Sequence, residues 1–419
     1  MDHFHYRDGQ MFCEDVALER IAAEVGTPVY VYSQATLERH ARVFREGVGV
    51  LPRVHCAFAI KANPNLGVLR VLANQGYGAD VVSGGEMVRA LAAGMKAKDI
   101  LFSGVGKTQT ELAAALDAGI GQFNLEHEAE GIALAAIAQE KGLSAPAVLR
   151  VNPDVDAGTH AKISTGLAEN KFGVPISEAR AMFARLAALP GLDMRGIAIH
   201  IGSQLADLAP LERAYTRVGQ LVAELRADGH AISRIDLGGG LGVPYRPGDE
   251  MPSPAALGEM AARVTKDWDV EIMFEPGRVI AGNAGVLVTR VIWVKPGIAR
   301  PYVIVDAAMN DLARPSLYDA YHEFQAVRPT GEQMNGNIAG PVCETGDTFA
   351  MDRDFDTVAP GDLGVFRTAG AYGATMASTY NSRSLVPEVL VSGDRYAIVA
   401  DRIQAATVMA AERVPEWLP

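Results

Sequence analysis

Eight short runs of apolar, often β-branched residues constrain the fold of this chain more strongly than any other feature of its sequence. They predict β-strands at residues 54–60, 78–82, 100–102, 121–125, 147–151, 196–201, 234–237 and 270–274. Between them lie stretches with helical periodicity, such as residues 66–74, 86–93, 111–118, 128–141 and 177–189. Leu112, Leu116 and Ile120, in and just after one of these stretches, recur at the spacing of a buried helical face. Strand and helix therefore alternate from residue 54 to residue 276.

Eight such strand–helix units predict a (β/α)8 barrel, a fold of about 250 residues. A doubly wound open sheet is the alternative that the same periodicity allows. The barrel also accounts for the polar residues at or just after the predicted strand ends, which are Lys61, Ser83, Asn152, His200, the glycines at 238–240 and Glu275. The carboxyl ends of all barrel strands share one mouth, where the active sites of this fold are built.

After about residue 281 the helical periodicity fades. Predicted strands at 286–294, 302–306, 321–327, 363–367, 388–391 and 396–400 follow one another with little helical pattern between them. This indicates an antiparallel β domain of sandwich or barrel type, which the early apolar run at 28–32 is expected to join. We therefore predict three regions: an N-terminal segment at 1–30 that joins the β domain, a barrel at 31–280, and the β domain itself at 281–419.

Charge and cysteine content narrow the classes of function. The net charge of -12 argues against nucleic acid, because phosphate backbones are bound by surfaces rich in Lys and Arg. The first 26 residues lack the apolar core of a signal peptide, and no run has the roughly 20 apolar residues of a membrane span. The cysteines, at 13, 56 and 343, have no paired spacing, and no metal-binding motif is present. We expect a cytoplasmic enzyme without a metal that acts on a small molecule.

Lys61 ends the first apolar strand. By its position alone it is either a surface lysine with a buried aliphatic stem or a buried amine with a chemical role. A lysine in a barrel mouth, removed from water, can form a Schiff base with an aldehyde. The other polar residues expected at the same mouth favour the chemical role.

Two loops at the predicted mouth indicate a phosphate site. Asp236-Leu-Gly-Gly-Gly240 follows the seventh strand, and consecutive glycines expose backbone N–H groups to an anion. Glu275-Pro-Gly-Arg278 follows the eighth strand, and barrel phosphate sites commonly use the loops after strands seven and eight. The glycine run does not match the dinucleotide-binding fingerprint, so a Rossmann fold is disfavoured.

Glu275 and His200 each have two interpretations. A carboxylate that faces a pyridine nitrogen would keep that nitrogen protonated, whereas the plain alternative for Glu275 is an ion pair with an arginine. His200 is either a satisfied core histidine or a flat ring stacked on a cofactor, with Ser203 near the cofactor phosphate.

Beyond these local signals, the chain resembles the fold-type III pyridoxal-phosphate (PLP) decarboxylases, in particular those that act on diaminopimelate. The resemblance covers nearly the whole chain in order. Its motifs are Phe58-Ala-Ile-Lys-Ala-Asn63, Asp80-Val-Val-Ser-Gly-Gly-Glu86, Val151-Asn-Pro-Asp-Val-Asp156, Ile163-Ser-Thr-Gly166, Asn170-Lys-Phe-Gly173, His200-Ile-Gly-Ser-Gln204, Asp236-Leu-Gly-Gly-Gly240, Glu275-Pro-Gly-Arg278, Asp306-Ala-Ala-Met-Asn-Asp311, Arg314-Pro-Ser-Leu-Tyr318, Cys343-Glu-Thr-Gly-Asp347 and Gly370-Ala-Tyr372.

The resemblance implies roles for the residues around the cofactor. Lys61 would hold PLP as a Schiff base, Glu275 would face its pyridine nitrogen, and His200 would stack on its ring. The phosphate end or the ring would be bound by the remaining members of the set, which are Ser203, Gly239, Gly240, Gly277, Arg278 and Tyr372.

The resemblance also implies a substrate, meso-2,6-diaminopimelate, which is converted to L-lysine and CO2 in the last step of lysine biosynthesis. The distal carboxylate would meet Arg278, Arg314 and Tyr318, with Tyr372 nearby, and the distal ammonium would meet Glu344. Cys343 would donate the proton that replaces CO2. In this family the cysteine and the glutamate reach the site from the other subunit, so the resemblance implies a homodimer with shared active sites.

Taken singly, the C-terminal residues have plainer interpretations. A lone cysteine is more often a small buried hydrophobe than an acid, and lone tyrosines are core or interface aromatics. Two rival functions also stay open: a decarboxylase of ornithine or arginine on the same fold, and a PLP-binding protein without catalysis. The first would not need a clamp for a second carboxylate, and the second predicts the loss of Lys61 or Cys343, both of which are present.

Overall fold

The structure is a computed structural model that describes residues 2–156 and 171–418. The chain forms two compact units. The β unit comprises Met1–Leu37, Tyr245–Asp249 and Ala281–Pro419, and the barrel unit comprises Glu38–Pro244 and Glu250–Ile280. The motif residues Ile163-Ser-Thr-Gly166 and Asn170 lie outside the described residues.

The barrel unit contains a closed ring of parallel strands. In chain order, strands one to eight are Val54–Ala59, Gly78–Val81, Ile100–Phe102, Gln122–Leu125, Ala145–Asn152, Leu192–Ala198, Arg234–Asp236 and Glu271–Phe274. Each strand pairs with the next one in parallel, and the eighth pairs with the first. A short strand, Val174–Pro175, adds to the end of the fifth. This closure confirms the predicted (β/α)8 barrel and excludes the open doubly wound sheet.

Helices connect the barrel strands as the periodicity predicts. They are Gln34–Val48 before the first strand and then Leu66–Asn74, Gly84–Ala92, Gln109–Ala118, Glu128–Lys141, Ile176–Ala187, Ala209–Ala227, Pro254–Thr265 and the short Arg278–Ala281. Side-chain capping stabilises the N-termini of several of these helices. Thr108 and Glu111 form a reciprocal capping box, and the Ser83 side chain accepts the Glu86 N–H. Ser83 is therefore explained by helix capping.

The β unit is built around one large sheet. Its strands are Val29–Ser33, Gly285–Lys295, Tyr302–Val305, Phe324–Ala326, Gln333–Ala339, Thr348–Asp356, Leu363–Phe366, Glu388–Ser392 and Arg395–Ala400. Phe4–Arg7, Gln10–Cys13 and Val16–Ala17 form a separate small sheet, followed by the helix Leu18–Val25. Two further helices, Arg314–Tyr318 and Ala405–Met409, complete the unit.

The N-terminal run joins this sheet, as expected. Val29–Ser33 pairs antiparallel with Gly285–Lys295 on one side and parallel with Glu388–Ser392 on the other. Buried residues of the N-terminal segment, among them Phe4 and Met11, share a hydrophobic core with Val286 and Val389. The first residues of the chain and its last third therefore fold together.

The sheet is mixed rather than purely antiparallel. Besides the parallel pair just described, Tyr302–Val305 pairs in parallel with Gln333–Ala339, because the connection between them crosses over through Arg314–Tyr318 and Phe324–Ala326 instead of a tight hairpin. In this large sheet the sequence analysis missed two strands, Gln333–Ala339 and Thr348–Asp356. Both carry many exposed polar residues, so neither shows a clear apolar pattern.

Candidate active site

The loops after barrel strands six and seven pack closely together. The Leu205 N–H donates to the Gly240 carbonyl at 2.9 Å. Gly240 has a φ of 113°, and a Cβ atom there would lie 2.4 Å from the Gly202 carbonyl oxygen. No other residue fits this position without moving the backbone. The packing brings His200 and Ser203, which follow strand six, close to the glycines that follow strand seven.

The contact continues around the rim to strands eight and one. A Cβ atom at Gly239 would lie 2.2 Å from the Glu275 carbonyl oxygen, so these two loops touch through backbone. The Ala59 N–H donates to the Pro276 carbonyl at 3.1 Å, next to the turn that carries Lys61. Within the barrel unit, the structure therefore gathers at one mouth the predicted residues Lys61, His200, Ser203, Gly239, Gly240, Glu275, Gly277 and Arg278.

Lys61 lies in a one-turn helix, Ile60–Ala62, that begins where strand one ends. Its Nζ donates to Asp80 Oδ2 at 2.6 Å, and its side chain is 35% exposed. Asp80 lies within strand two and is fully buried. Its second oxygen, Oδ1, has no hydrogen-bond partner among the described residues. The amine is thus held by a buried carboxylate while part of the side chain stays accessible.

Glu275 is buried among other charges. Burial raises the pKa of Glu275 well above its usual range, and the carboxylates of Asp236 and Asp80 raise it further, while Lys61 and Arg150 oppose the rise. Burial is the largest cause, so this environment favours the protonated form of the Glu275 carboxyl group. Such a group can share that proton with a basic ring nitrogen.

His200 presents a neutral ring. Burial lowers its pKa well below the usual range, and the nearby charges of Arg150 and Lys61 act in the same direction. The Gly239 N–H donates to His200 Nδ1 at 3.3 Å, so Nδ1 accepts and the ring proton lies on Nε2. A neutral, flat ring of this kind suits stacking on an aromatic cofactor.

The sequence analysis missed a charged cluster beside these residues. Arg150 of strand five donates to Glu126 Oε1 at 2.7 Å, and both side chains are almost fully buried. The other oxygen of Glu126 accepts the Gly173 N–H. Behind them, Lys107 pairs with Glu130, whose Oε2 accepts the Glu126 N–H. Apart from Gly173 these residues lie outside the motifs quoted above, so only the three-dimensional structure shows the cluster.

The Lys107–Glu130 pair supports a stability prediction. The two side chains are 0% and 4% exposed. Lys107→Met leaves the Glu130 carboxylate buried without its cation, so we expect a loss of about 3–5 kcal/mol in the free energy of unfolding. Lys141→Met, which removes an exposed ion pair with Asp117, should cost at most about 1 kcal/mol. Urea denaturation of both variants checks this; equal losses would contradict the account.

In the β unit, Arg314 begins the short helix Arg314–Tyr318 and is 7% exposed. Its Nη1 lies 2.9 Å from His322 Nε2, and His322 Nδ1 lies 2.9 Å from the Arg367 carbonyl. The carbonyl can only accept, so Nδ1 carries the proton and neutral Nε2 accepts from Arg314. Arg314 also stacks on the Tyr245 ring at 4.8 Å. His322 and Tyr245, which the sequence analysis did not single out, fix the guanidinium.

Cys343 and Glu344 lie on an exposed turn of the β unit. Asp347, which is 2% exposed, holds this turn by accepting the N–H groups of Val342 at 2.7 Å and Met309 at 2.6 Å. The Cys343 thiol and the Glu344 carboxylate are therefore exposed on a turn whose backbone is held by the buried Asp347 side chain.

The two predicted tyrosines also lie in the β unit. Tyr318 is half-buried at the end of the helix that Arg314 begins. Tyr372 is half-buried and has a φ of 56°, which is uncommon for a residue other than glycine and marks a backbone held in place by its surroundings. Arg314, Tyr318, Cys343, Glu344 and Tyr372 are thus all carried by the β unit.

The donor set at the barrel mouth fits PLP. A partly accessible amine, Lys61, can bind an aldehyde, and the neutral ring of His200 offers a flat surface. The charges that act on Glu275 are two carboxylates, Asp236 and Asp80, and two cations. The two buried carboxylates would favour a protonated, cationic pyridine ring beside Glu275.

Comparisons with known proteins agree with this chemistry. Residues 34–282 match the family model described as pyridoxal-dependent decarboxylase, pyridoxal binding domain. The chain therefore belongs to the pyridoxal-dependent decarboxylases, and it is an enzyme of the carboxy-lyase class whose cofactor is PLP. None of the helices in the described part of the chain has the length and hydrophobicity needed to span a membrane.

Relatives that match over nearly the whole chain show which family of these decarboxylases it belongs to. A diaminopimelate decarboxylase of Zymomonas mobilis is 50% identical over 419 residues, which is 99% of both chains. Another, from Pseudomonas aeruginosa, is 50% identical over 397 residues, 94% of this chain and 95% of the relative. The crystal structure of the M. jannaschii enzyme in co-complex with L-lysine has a TM-score of 0.96 at 34% identity, covering 100% of this chain and 99% of the other. This chain is a member of the diaminopimelate decarboxylase family, which confirms the resemblance seen in the sequence.

Proposed function

We propose that the chain removes CO2 from meso-2,6-diaminopimelate to give L-lysine, the last step of lysine biosynthesis. The observation that carries this proposal is that one barrel rim holds both the partly accessible amine of Lys61 and the buried carboxyl group of Glu275. Family membership supports the same reaction. The experiment that tests it directly is a decarboxylation assay with alternative amino acids, set out at the end of the Discussion.

PLP supplies an electron sink that accepts the electron pair left when the carboxylate departs as CO2. Lys61 would bind the cofactor, and Glu275 would keep its ring nitrogen protonated. His200 would offer a neutral, flat surface to the ring. Arg278 and the backbone of the loops after strands six to eight would hold the phosphate, with Ser203, Gly239, Gly240 and Gly277 in those loops and Tyr372 contributed by the β unit.

The substrate's distal end is recognised by the β unit. Arg314 offers a guanidinium whose orientation is fixed by His322 and the Tyr245 ring, which suits bidentate binding of a carboxylate. Tyr318 and Arg278 complete the carboxylate site with Tyr372 nearby, and Glu344 takes the distal ammonium. Ornithine and arginine have no second carboxylate, so the same arginine would have nothing to bind in those substrates.

This assignment predicts the effect of Arg314→Met, which keeps much of the side-chain volume and removes the charge. We expect the KM for diaminopimelate to rise by about 100-fold, because a buried charge-assisted pair is lost, with a smaller change in kcat. Arg290→Met is the matched control, since Arg290 Nη1 donates to the Gly361 carbonyl at 2.8 Å at the surface. Steady-state kinetics decide: an unchanged KM in Arg314→Met would remove Arg314 from the substrate site.

The exposed position of Cys343 and Glu344 supports a homodimer in which this turn completes the active site of the other subunit. Cys343 donates the proton that replaces CO2 at the substrate's α-carbon. Besides a second copy of the chain, the partner is the small-molecule substrate, and the net charge of -12 disfavours nucleic acid. We place the enzyme in the cytoplasm, unattached to membranes, and keep 1–30, 31–280 and 281–419 as its functional regions.

A further inference from the structure

A buried polar network lies inside the barrel, behind Glu275. Asn124 Nδ2 donates to Ser103 Oγ at 2.9 Å and to Asp236 Oδ2 at 3.3 Å, and Gln122 Nε2 donates to the same oxygen of Asp236 at 3.3 Å. Exposure of these residues is 6% for Ser103 and 2% or less for the two amides and for Asp236. The network therefore connects strands three, four and seven out of contact with water.

Asp236 has hydrogen-bond donors that favour an ionised carboxyl group. Its Oδ1 accepts the Gly238 N–H at 2.9 Å, and its Oδ2 accepts both side-chain amides. Burial raises the pKa of Asp236, and hydrogen bonds to its carboxylate oppose that rise. Three N–H donors therefore favour the carboxylate of Asp236 over its protonated form, which has less capacity to accept.

Glu275, unlike Asp236, has few hydrogen-bond donors around its carboxyl group in the described part of the chain. Among the described residues, the Ser103 hydroxyl donates to Glu275 Oε1 at a long 3.5 Å, and the carboxyl group of Glu275 bonds to that of Asp236. The backbone enforces this contact, because the Glu275 N–H donates to the Gly238 carbonyl at 2.8 Å, two residues beyond Asp236. Two carboxyl groups can bond only if one of them carries a proton, and the donors on Asp236 leave that proton on Glu275.

Four charged residues of the described chain act most strongly on Glu275. Asp236 lies on strand seven and Asp80 on strand two, and both raise the pKa of Glu275, as burial does; Lys61 and Arg150 lower it. Lys61 is already bound to Asp80, and Arg150 to Glu126. Asp236 is the largest charge effect and is the one that contacts Glu275 directly.

We propose that Asp236 is a positioning residue that keeps a proton on Glu275 in the cofactor-free enzyme and, through Glu275, keeps the ring nitrogen protonated in the loaded enzyme. With a pyridine ring opposite, Glu275 could pass this proton to the ring nitrogen and would itself become a carboxylate. The combined negative charge of Glu275 and Asp236 would then disfavour loss of the ring proton to solvent. The inference rests on the proposed function, because it needs a pyridine ring opposite Glu275.

The test is Asp236→Asn, which removes the charge at nearly constant volume. Wild-type and variant proteins are loaded with PLP labelled with 15N in the ring, and the nitrogen chemical shift is followed against pH. We expect the variant to lose the ring proton at lower pH than the wild type, and its kcat to fall about tenfold or more with little change in KM. Asp193→Asn removes an exposed carboxylate of the same barrel, paired with Arg195, and should titrate like the wild type.

An identical nitrogen titration in Asp236→Asn and wild type would overturn the inference while leaving the proposed function intact. If the wild type neither binds PLP nor decarboxylates diaminopimelate, the proposed function itself fails. If Asp236→Asn does not fold or does not bind PLP, infrared spectroscopy of the cofactor-free wild type tests the inference instead. We expect a buried, protonated carboxyl band at neutral pH that disappears in Glu275→Gln, and its absence in the wild type would overturn the inference.

Discussion

Replacing Lys61 with alanine should abolish both the visible absorbance of the lysine-bound cofactor and decarboxylation. The amine of Lys61 is the group at the barrel mouth that can bind an aldehyde, and Asp80 holds it in place at 2.6 Å. We expect kcat to fall by roughly 1,000-fold or more, since loss of a covalent catalytic group removes a step that binding alone cannot replace. Absorbance spectra and CO2 release from the purified variant measure the two effects.

Lys141→Ala is the control, because Lys141 forms an exposed ion pair with Asp117 on the outside of the barrel. It should load PLP and turn over like the wild type. Survival of the absorbance band in Lys61→Ala would show that another amine binds the cofactor, and the assignment of the mouth residues would have to be abandoned.

Cys343→Ala should have the second-largest effect. Removal of a general acid typically costs 100-fold to 10,000-fold, so we expect kcat to fall by about 100-fold or more with KM little changed. Thr345→Ala, two residues along the same exposed turn, is the matched control and should stay near wild-type activity. A wild-type kcat in Cys343→Ala would mean that the thiol does not deliver the proton.

The same variants test the shared active site. If Cys343 serves the partner subunit, mixing Lys61→Ala and Cys343→Ala chains under conditions of subunit exchange creates hybrid dimers with one intact site. Random exchange should then restore roughly a quarter of wild-type activity. No restoration, despite exchange shown by differently tagged subunits, would place Lys61 and Cys343 of one site on the same chain.

The sequence predicts the barrel well, because each of its strands is a short apolar run bounded by a helix with clear periodicity. The strand-end rule also singles out Lys61 and Glu275 as candidates, since an ionisable residue directly after an apolar strand stands out against its neighbours. Glycine pairs such as Gly239 and Gly240 are visible as motifs, although only the structure shows which backbone each one approaches.

The supporting residues could not be predicted in the same way. His322 follows Arg314 by eight positions and touches it only because the intervening helix and turn fold back. In the sequence, Gln122 and Asn124 are polar residues that interrupt an apolar strand. Only the closed barrel shows that both side-chain amides donate to Asp236. Likewise, the strands Gln333–Ala339 and Thr348–Asp356 depend on pairing with each other more than on an apolar pattern. These features depend on tertiary contacts between distant residues.

The most direct test of the account is CO2 release by the purified, PLP-loaded protein offered meso-diaminopimelate, ornithine and arginine side by side. We predict release from diaminopimelate alone, with L-lysine formed in equal amount, because Arg314 requires a second carboxylate. Release from ornithine or arginine at a comparable rate would contradict the assignment of Arg314 and the β unit to a distal carboxylate. No release from any of the three would contradict the proposed reaction itself.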